Sequence, residues 1–358
     1  MASACIEPAV SDQPNDDDDV DVPLTVDALR ARVVSWGAGD GPPEREHGAM
    51  FASADGATLF VYGGSGYPQT PDNVLDDGWR FDVQTATWTT WATSGERPPA
   101  GAFRGVRVND DTAVLVGGYL ADFASDGGAY AVTLSTGVFR ALRQEPQPPA
   151  RSLHTLAFDD VAGRLVLFGG FGDDGPRNDA WIGIVNVDDG VITWTEVGSS
   201  EKPSPRYGAF GGVDTQSGQL VVFSGAQAPR GADAINAAQD IWTLNLDDAT
   251  WSERAVFGAP PNGRRNGCGV FDPATRALII YGGTADGRTS EAGGAALVVE
   301  GDDGDVLRFV DVDVGDAPVR SSGFGAPLVG GGVACGFGND SDAFRDVIMW
   351  EPSSLSRP

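Results

Sequence analysis

Hydrophobic positions in this chain gather into short runs, and the runs recur. Leu59-Phe60-Val61-Tyr62, Val114-Leu115-Val116, Leu165-Val166-Leu167-Phe168 and Leu278-Ile279-Ile280-Tyr281 each end in a glycine pair. Two looser copies are Leu220-Val221-Val222-Phe223-Ser224-Gly225 and Val333-Ala334-Cys335-Gly336-Phe337. The first position of each pair falls at 63, 117, 169, 224, 282 and 336, with Ser224 standing in for one glycine. Around each run the grammar repeats. A Pro-rich turn and an arginine come before it, as in Pro149-Ala150-Arg151 and Pro205-Arg206. A polar loop follows, then a strand opening Asp-x-Trp at Asp77/Trp79, Asp179/Trp181 and Asp240/Trp242, with Asp346/Ile348 a looser version. The fourth strand carries Trp88, Phe139, Trp194 or Trp251.

Four short strands per unit predict one antiparallel sheet each. The runs before the glycine pairs are apolar throughout, without alternation, so both faces of each sheet must be covered. Neighbouring units have to stack, and radial stacking of four-stranded sheets is the propeller solution. The sixth unit stops after its third strand, while a spare strand, Leu29 to Trp36, precedes the first. The expectation is an all-β, six-bladed propeller over residues 23–352, closed by that N-terminal strand acting as the outermost strand of the last blade. Residues 1–22 form an acidic tail and 353–358 a C-terminal tail.

The glycine pairs, the Asp-x-Trp and the following aromatic resemble the kelch repeat, across essentially the whole folded chain. That resemblance implies a kelch-type propeller, similar to bacterial kelch-repeat proteins and, in fold, to the central domain of galactose oxidase. It also implies a rigid platform whose loops grip a protein or peptide rather than an enzyme.

In a kelch-like blade the first strand is innermost, so strand starts and post-glycine loops emerge on one face. The starts carry Arg45, Arg151, Arg206, Arg264 and Arg320; the loops carry Tyr67, Tyr119, Phe123, Phe171, Arg177, Arg288 and Glu291. These are the candidate ligand-binding residues. Two readings of the arginines stand open: planar forks that hold an anion bidentately, or staples to the Asp of the Asp-x-Trp strands. The anion reading admits an acidic sugar, as in sialic acid mutarotase, with Glu291 moving the proton. His154 and His47 fall where kelch repeats place first-strand histidines, and no spacing reproduces the ligands of a copper oxidase. No nucleophile elbow, P-loop or His-Glu-x-x-His motif occurs, so no cofactor, metal or catalytic residue is assigned.

Charge narrows the partners. Lys plus Arg is 24 against 51 Asp plus Glu, a formal −27. Nucleic acid is excluded as a partner, because duplex binding needs cations that displace condensed counterions. No apolar run approaches a membrane span, and a monomer is expected. Cys268 and Cys335 sit in apolar runs and read as buried thiols. Ala2-Ser3-Ala4-Cys5 resembles the end of a lipoprotein signal without its apolar core. Cys5 is therefore a candidate lipidation site on an extracytoplasmic or secreted protein, a cytoplasmic one being the alternative; a third reading is a structural, envelope-tethered ectodomain.

Overall fold

A computed structural model describes residues 25–352, apart from 38, 67–69, 71–72, 99–100, 121, 230–235 and 341–343. Cys5, Tyr67 and both tails lie outside the described residues. Six antiparallel sheets surround one axis. Their inner strands are Ala49–Ala52, Arg104–Arg107, Thr155–Asp159, Phe210–Asp214, Cys268–Asp272 and Phe324–Pro327, defining blades 1 to 6. The strand Leu29–Ser35 pairs antiparallel with Asp346–Pro352, Leu29 opposite Pro352, and is the outermost strand of blade 6.

The second strands are buried from end to end, as in Thr112–Tyr119 and Ala277–Tyr281. Six apolar clusters each join two adjacent blades; one packs Phe51, Phe60 and Tyr62 of blade 1 against Phe103, Leu115 and Phe139 of blade 2. A single sheet has nothing to cover its second face, which is why the units stack.

Three features depart from the sequence expectation. The blades are not uniformly four-stranded. After leaving blade 1 the chain adds Ser94–Gly95 in parallel to the edge of blade 2, and Arg143–Glu145 does the same for blade 3. The linkers thus cover edges whose free N–H and C=O groups would otherwise invite pairing with another chain. The sixth glycine pair is displaced by one residue. In the other blades both positions of the pair have positive φ, for example 62° and 97° at Gly63 and Gly64, and in blade 6 these conformations fall on Phe337 (59°) and Gly338 (87°). Finally, Cys268 and Cys335 are joined in a disulfide rather than standing as separate thiols. Their runs belong to adjacent blades, and stacking brings the Cα atoms to 6.0 Å across the blade 5–6 interface.

Two outcomes follow for stability. Deleting residues 25–36 uncovers the edge of Asp346–Pro352 and the apolar groups around Leu29; the thermal unfolding transition, followed by circular dichroism, should shift down by 10 °C or more or lose its cooperativity. Reducing the disulfide frees a loop of 67 residues, and loop-closure entropy makes that worth about 4 kcal/mol; urea unfolding with and without reductant checks it.

Candidate functional site

Each blade presents at one end, the loop face, the start of its inner strand and the loop after its glycine pair. The opposite end, the turn face, carries tight hairpin turns. The five arginines begin the inner strands, and all are buried: Arg45, Arg206 and Arg320 at 0%, Arg151 at 1% and Arg264 at 6% exposure. Their forks are filled from within the same blade. Arg45 donates to both oxygens of Asp77 at 2.9 Å, Arg151 to Asp179 at 2.8 and 2.5 Å, and Arg206 to Asp240 at 2.5 and 2.8 Å. Arg320 pairs with Asp346 at 2.6 Å. Nη1 of all five also donates to the carbonyl of the first residue in the glycine-pair position, Gly63, Gly169, Ser224, Gly282 or Phe337.

The Asp-x-Trp spacing is explained by the same constellation. Two residues on, the indole N–H of Trp79, Trp181 or Trp242 donates to that aspartate at 2.6–2.9 Å. Burial alone would raise these carboxyls, but hydrogen bonds and charge from the arginine, helped by the indole, hold Asp77, Asp179 and Asp240 below the usual carboxylate range. Blade 5 has Gly293 where the others have the aspartate, and Glu291 reaches Arg264 from two residues earlier, at 3.8 Å. The geometry of the arginine ring is that of the staple, and its guanidinium groups are turned away from solvent.

The staples also lock the blades together. The backbone N–H of the second glycine-pair residue donates to the carbonyl of the next blade's arginine: Gly118 to Arg151, Gly170 to Arg206, Gly225 to Arg264, Gly283 to Arg320 and Gly338 to Arg45, at 2.8–3.0 Å. The approach is close, since a Cβ at Gly282 would sit 2.2 Å from the Arg320 carbonyl, although Ser224 and Phe337 take the same position in blades 4 and 6. Two residues after each strand-start position, His47, Ala102, Leu153, Gly208, Asn266 and Ser322 all adopt positive φ. Five head-to-tail bonds join them around the axis: His47 N–H to Ser322, Ser322 to Asn266, Asn266 to Gly208, Gly208 to Leu153 and Leu153 to Ala102. This ring of backbone narrows the axis beneath the loop face.

Above the ring lies the mouth of the loop face, made of six small bridges: Glu46/Ser65, Gly101/Tyr119, Ser152/Phe171, Tyr207/Ala226, Arg265/Thr284 and Ser321/Asn339. Its blade 2–4 half is aromatic. Phe123 packs on Tyr119, Phe171 stands edge-on to Tyr207 at 5.0 Å, and the Arg265 guanidinium lies 5.1 Å over the Tyr207 ring. Phe123 and Phe171 remain half-exposed. Arg177 pairs with Asp174 at 2.8 Å, and Arg288 is exposed on the blade 5 loop. Tyr207 and Arg265 escaped the sequence reading; they directly follow the staple arginines Arg206 and Arg264, at the position that bridges to the post-glycine loop in each blade.

The blade 1–6 half of the mouth is polar. Glu46 is buried there and accepts a hydrogen bond from Asn339 Nδ2 of blade 6. Burial pushes its carboxyl up to about 7, against hydrogen bonds with Ser322 and Asn339.

With this geometry in place the comparisons define the class. The family profile described as "KLHDC2/KLHL20/DRC7 Kelch-repeats domain" matches residues 106–294, more than half of the chain, and the protein belongs to the kelch-repeat propellers. Among curated relatives it is 27% identical to human host cell factor 1 over 250 residues, covering 64% of this chain and 11% of the relative. It is 26% identical to kelch domain-containing protein 3 of Bos taurus over 268 residues, 70% of this chain and 65% of the relative. A 141-residue stretch is 31% identical to dynein regulatory complex subunit 7 of Chlamydomonas reinhardtii, 38% of this chain and 11% of the relative. The chain thus spans about a tenth of the host cell factor proteins that it matches.

Removing one member of a staple leaves its partner charged and buried. Asp240→Asn and Arg206→Ala should each lose about 3–5 kcal/mol, while Glu291→Gln, at longer range and half-exposed, should lose under 1 kcal/mol; urea unfolding measures all three. The carboxyls have two opposite pH signatures. Asp77, Asp179 and Asp240 are depressed in the folded state, so their contribution is present above pH ~4 and lost as pH falls through the lower folded value. Glu46 is raised, so the folded state binds the extra proton and stability falls as pH rises from ~4.3 to about 7, by roughly 4 kcal/mol at 1.36 kcal/mol per unit. Glu46→Gln should abolish that decline and melt higher than the wild type at pH 8.

Proposed function

We propose that this protein is a non-enzymatic binding module whose loop face grips a protein or peptide. The observation that carries the reading is the composition of the mouth. A half-exposed aromatic cluster, Phe123 and Phe171 over Tyr119 and Tyr207, lies beside Arg265 and within the same face as Arg177 and Arg288. Aromatic and arginine side chains set on a rigid base are the usual anchors of protein interfaces, and the latched backbone ring supplies the base. Kinship with host cell factor 1 and other kelch-domain proteins supports the same use. The turn face, by contrast, collects doubled acids such as Asp159-Asp160, Asp188-Asp189 and Asp247-Asp248, which are engaged in turn geometry. The internally filled forks of the arginine ring favour the protein-binding reading over an acidic-sugar site. A disulfide between two blades supports placing the protein in an oxidising, extracytoplasmic setting.

The test is affinity capture from the source cells with three immobilised proteins. These are the wild type, a loop-face variant carrying Phe123→Ala, Phe171→Ala and Arg288→Ala, and a turn-face control carrying Asp188→Ser and Asp248→Ser. Thermal melts establish that all three are folded. A specific partner should be retained by the wild type and the control and fall at least tenfold with the loop-face variant. Equal capture by all three would remove this face from the binding role.

A further inference from the structure

We propose that the axial channel is a second binding site, taking a small organic monocarboxylate whose head group is held by Arg104 with His154 beside it. The six inner strands enclose a cavity of ≈ 390 Å³ that runs from the backbone ring to the turn face. That volume lies within the range of small-molecule sites. Its wall mixes polar residues with apolar ones, among them Met50, Val106, Leu156 and Val270.

Two of the polar groups on this wall, Arg104 and His154, meet between blades 2 and 3. Arg104 stands where blades 4, 5 and 6 place Phe210, Cys268 and Phe324 in the same register after the strand-start position. Burial lowers its guanidinium to about 10, which leaves it charged at neutral pH. Among the described residues no carboxylate pairs with it, whereas each staple arginine has its acid. His154 fills the slot that Phe103 fills one blade earlier: both rings pack where a Cβ would fall, on Gly117 and on Gly63 respectively. The imidazole is 1% exposed, and neither Nδ1 nor Nε2 has a hydrogen-bond partner. Burial, then the charges of Arg151 and Arg104, keep it neutral. The neutral ring lines the same cavity as Arg104 and keeps one N–H without an acceptor.

A half-buried guanidinium without a counter-charge and a buried imidazole without partners are both left uncompensated. A carboxylate satisfies both at once, accepting from the guanidinium fork and from the imidazole N–H. Two observations select a monoanion with an apolar body. Arg107, the other lining arginine, is paired with Asp110 at 3.9 Å, so Arg104 is the lining guanidinium without an acid among the described residues, and Asp160 on the same wall repels multiply charged anions. The apolar strand surfaces below the head group would receive a hydrocarbon tail or a ring.

Titration calorimetry and thermal shift on the full chain, at constant ionic strength, test the assignment with benzoate and hexanoate. Benzyl alcohol and inorganic phosphate serve as comparators. Benzoate should bind saturably at one site and raise the melting temperature, at least tenfold more tightly than either comparator. Arg104→Met should lose at least tenfold in benzoate affinity yet melt no lower than the wild type in carboxylate-free buffer. His154→Phe, which repeats the Phe103 arrangement, should fold and lose several-fold. The loop-face variant described above should bind benzoate unchanged, so the two sites fail or succeed separately. The proposal is overturned by any one of four results: no saturable binding at millimolar benzoate, benzyl alcohol or phosphate binding as tightly, full affinity in Arg104→Met, or full affinity in His154→Phe.

Discussion

The buried arginine at the start of five of the six inner strands is the interaction on which the propeller rests. Its guanidinium fork ties the first, second and third strands of one blade together, and its own backbone carbonyl accepts the N–H that arrives from the blade before. One residue type thus closes hydrogen-bond requirements inside a sheet and between sheets. An arginine suits this better than a lysine, because the planar fork meets a carboxylate with two donors and still has an N–H for a carbonyl. A buried pair of this kind need not add net stability over an apolar alternative. What it does fix is register: each blade can pair with its neighbour in only one axial position. Blade 5 shows how narrow that requirement is, since the loss of the aspartate at Gly293 is met by Glu291 reaching in from outside.

Much of this was legible in the chain. The glycine pairs announced themselves because their backbone conformation is one that few other residues adopt, and the Asp-x-Trp spacing reflects a hydrogen bond from the indole to the aspartate. The failures share a physical cause. Phe337 takes a left-handed conformation that its type disfavours, held by the same blade-to-blade bond, so composition pointed to Gly336 instead. His47, Leu153, Asn266 and Ser322 form the ring around the axis, and nothing in their identity signals positive φ. Cys268 and Cys335 gave no hint of bonding because only the stacking of blades 5 and 6 makes them neighbours. The aromatic half of the mouth was seen in part, through Phe123 and Phe171, while Tyr207 was hidden behind the arginine that precedes it.

Function divides along the axis in the same way. The backbone ring separates the aromatic mouth, the proposed protein-binding face, from the channel, where the proposed carboxylate site lies between blades 2 and 3. The first rests on side chains raised on loops; the second rests on Arg104, on an inner strand, and His154, just before one. Because the ring lies between them, occupancy of one compartment need not disturb the other, and the propeller can hold two unlike ligands on one rigid frame.

The pairing of the first strand with the last also gives the molecule a polarity. Leu29 lies opposite Pro352, at the turn-face end of blade 6, so both ends of the propeller's chain leave from one corner of the disc. Any tether, linker or neighbouring domain attached at either end would hold the disc by that corner. The aromatic mouth would then be presented outward, and the channel opening would face the point of attachment.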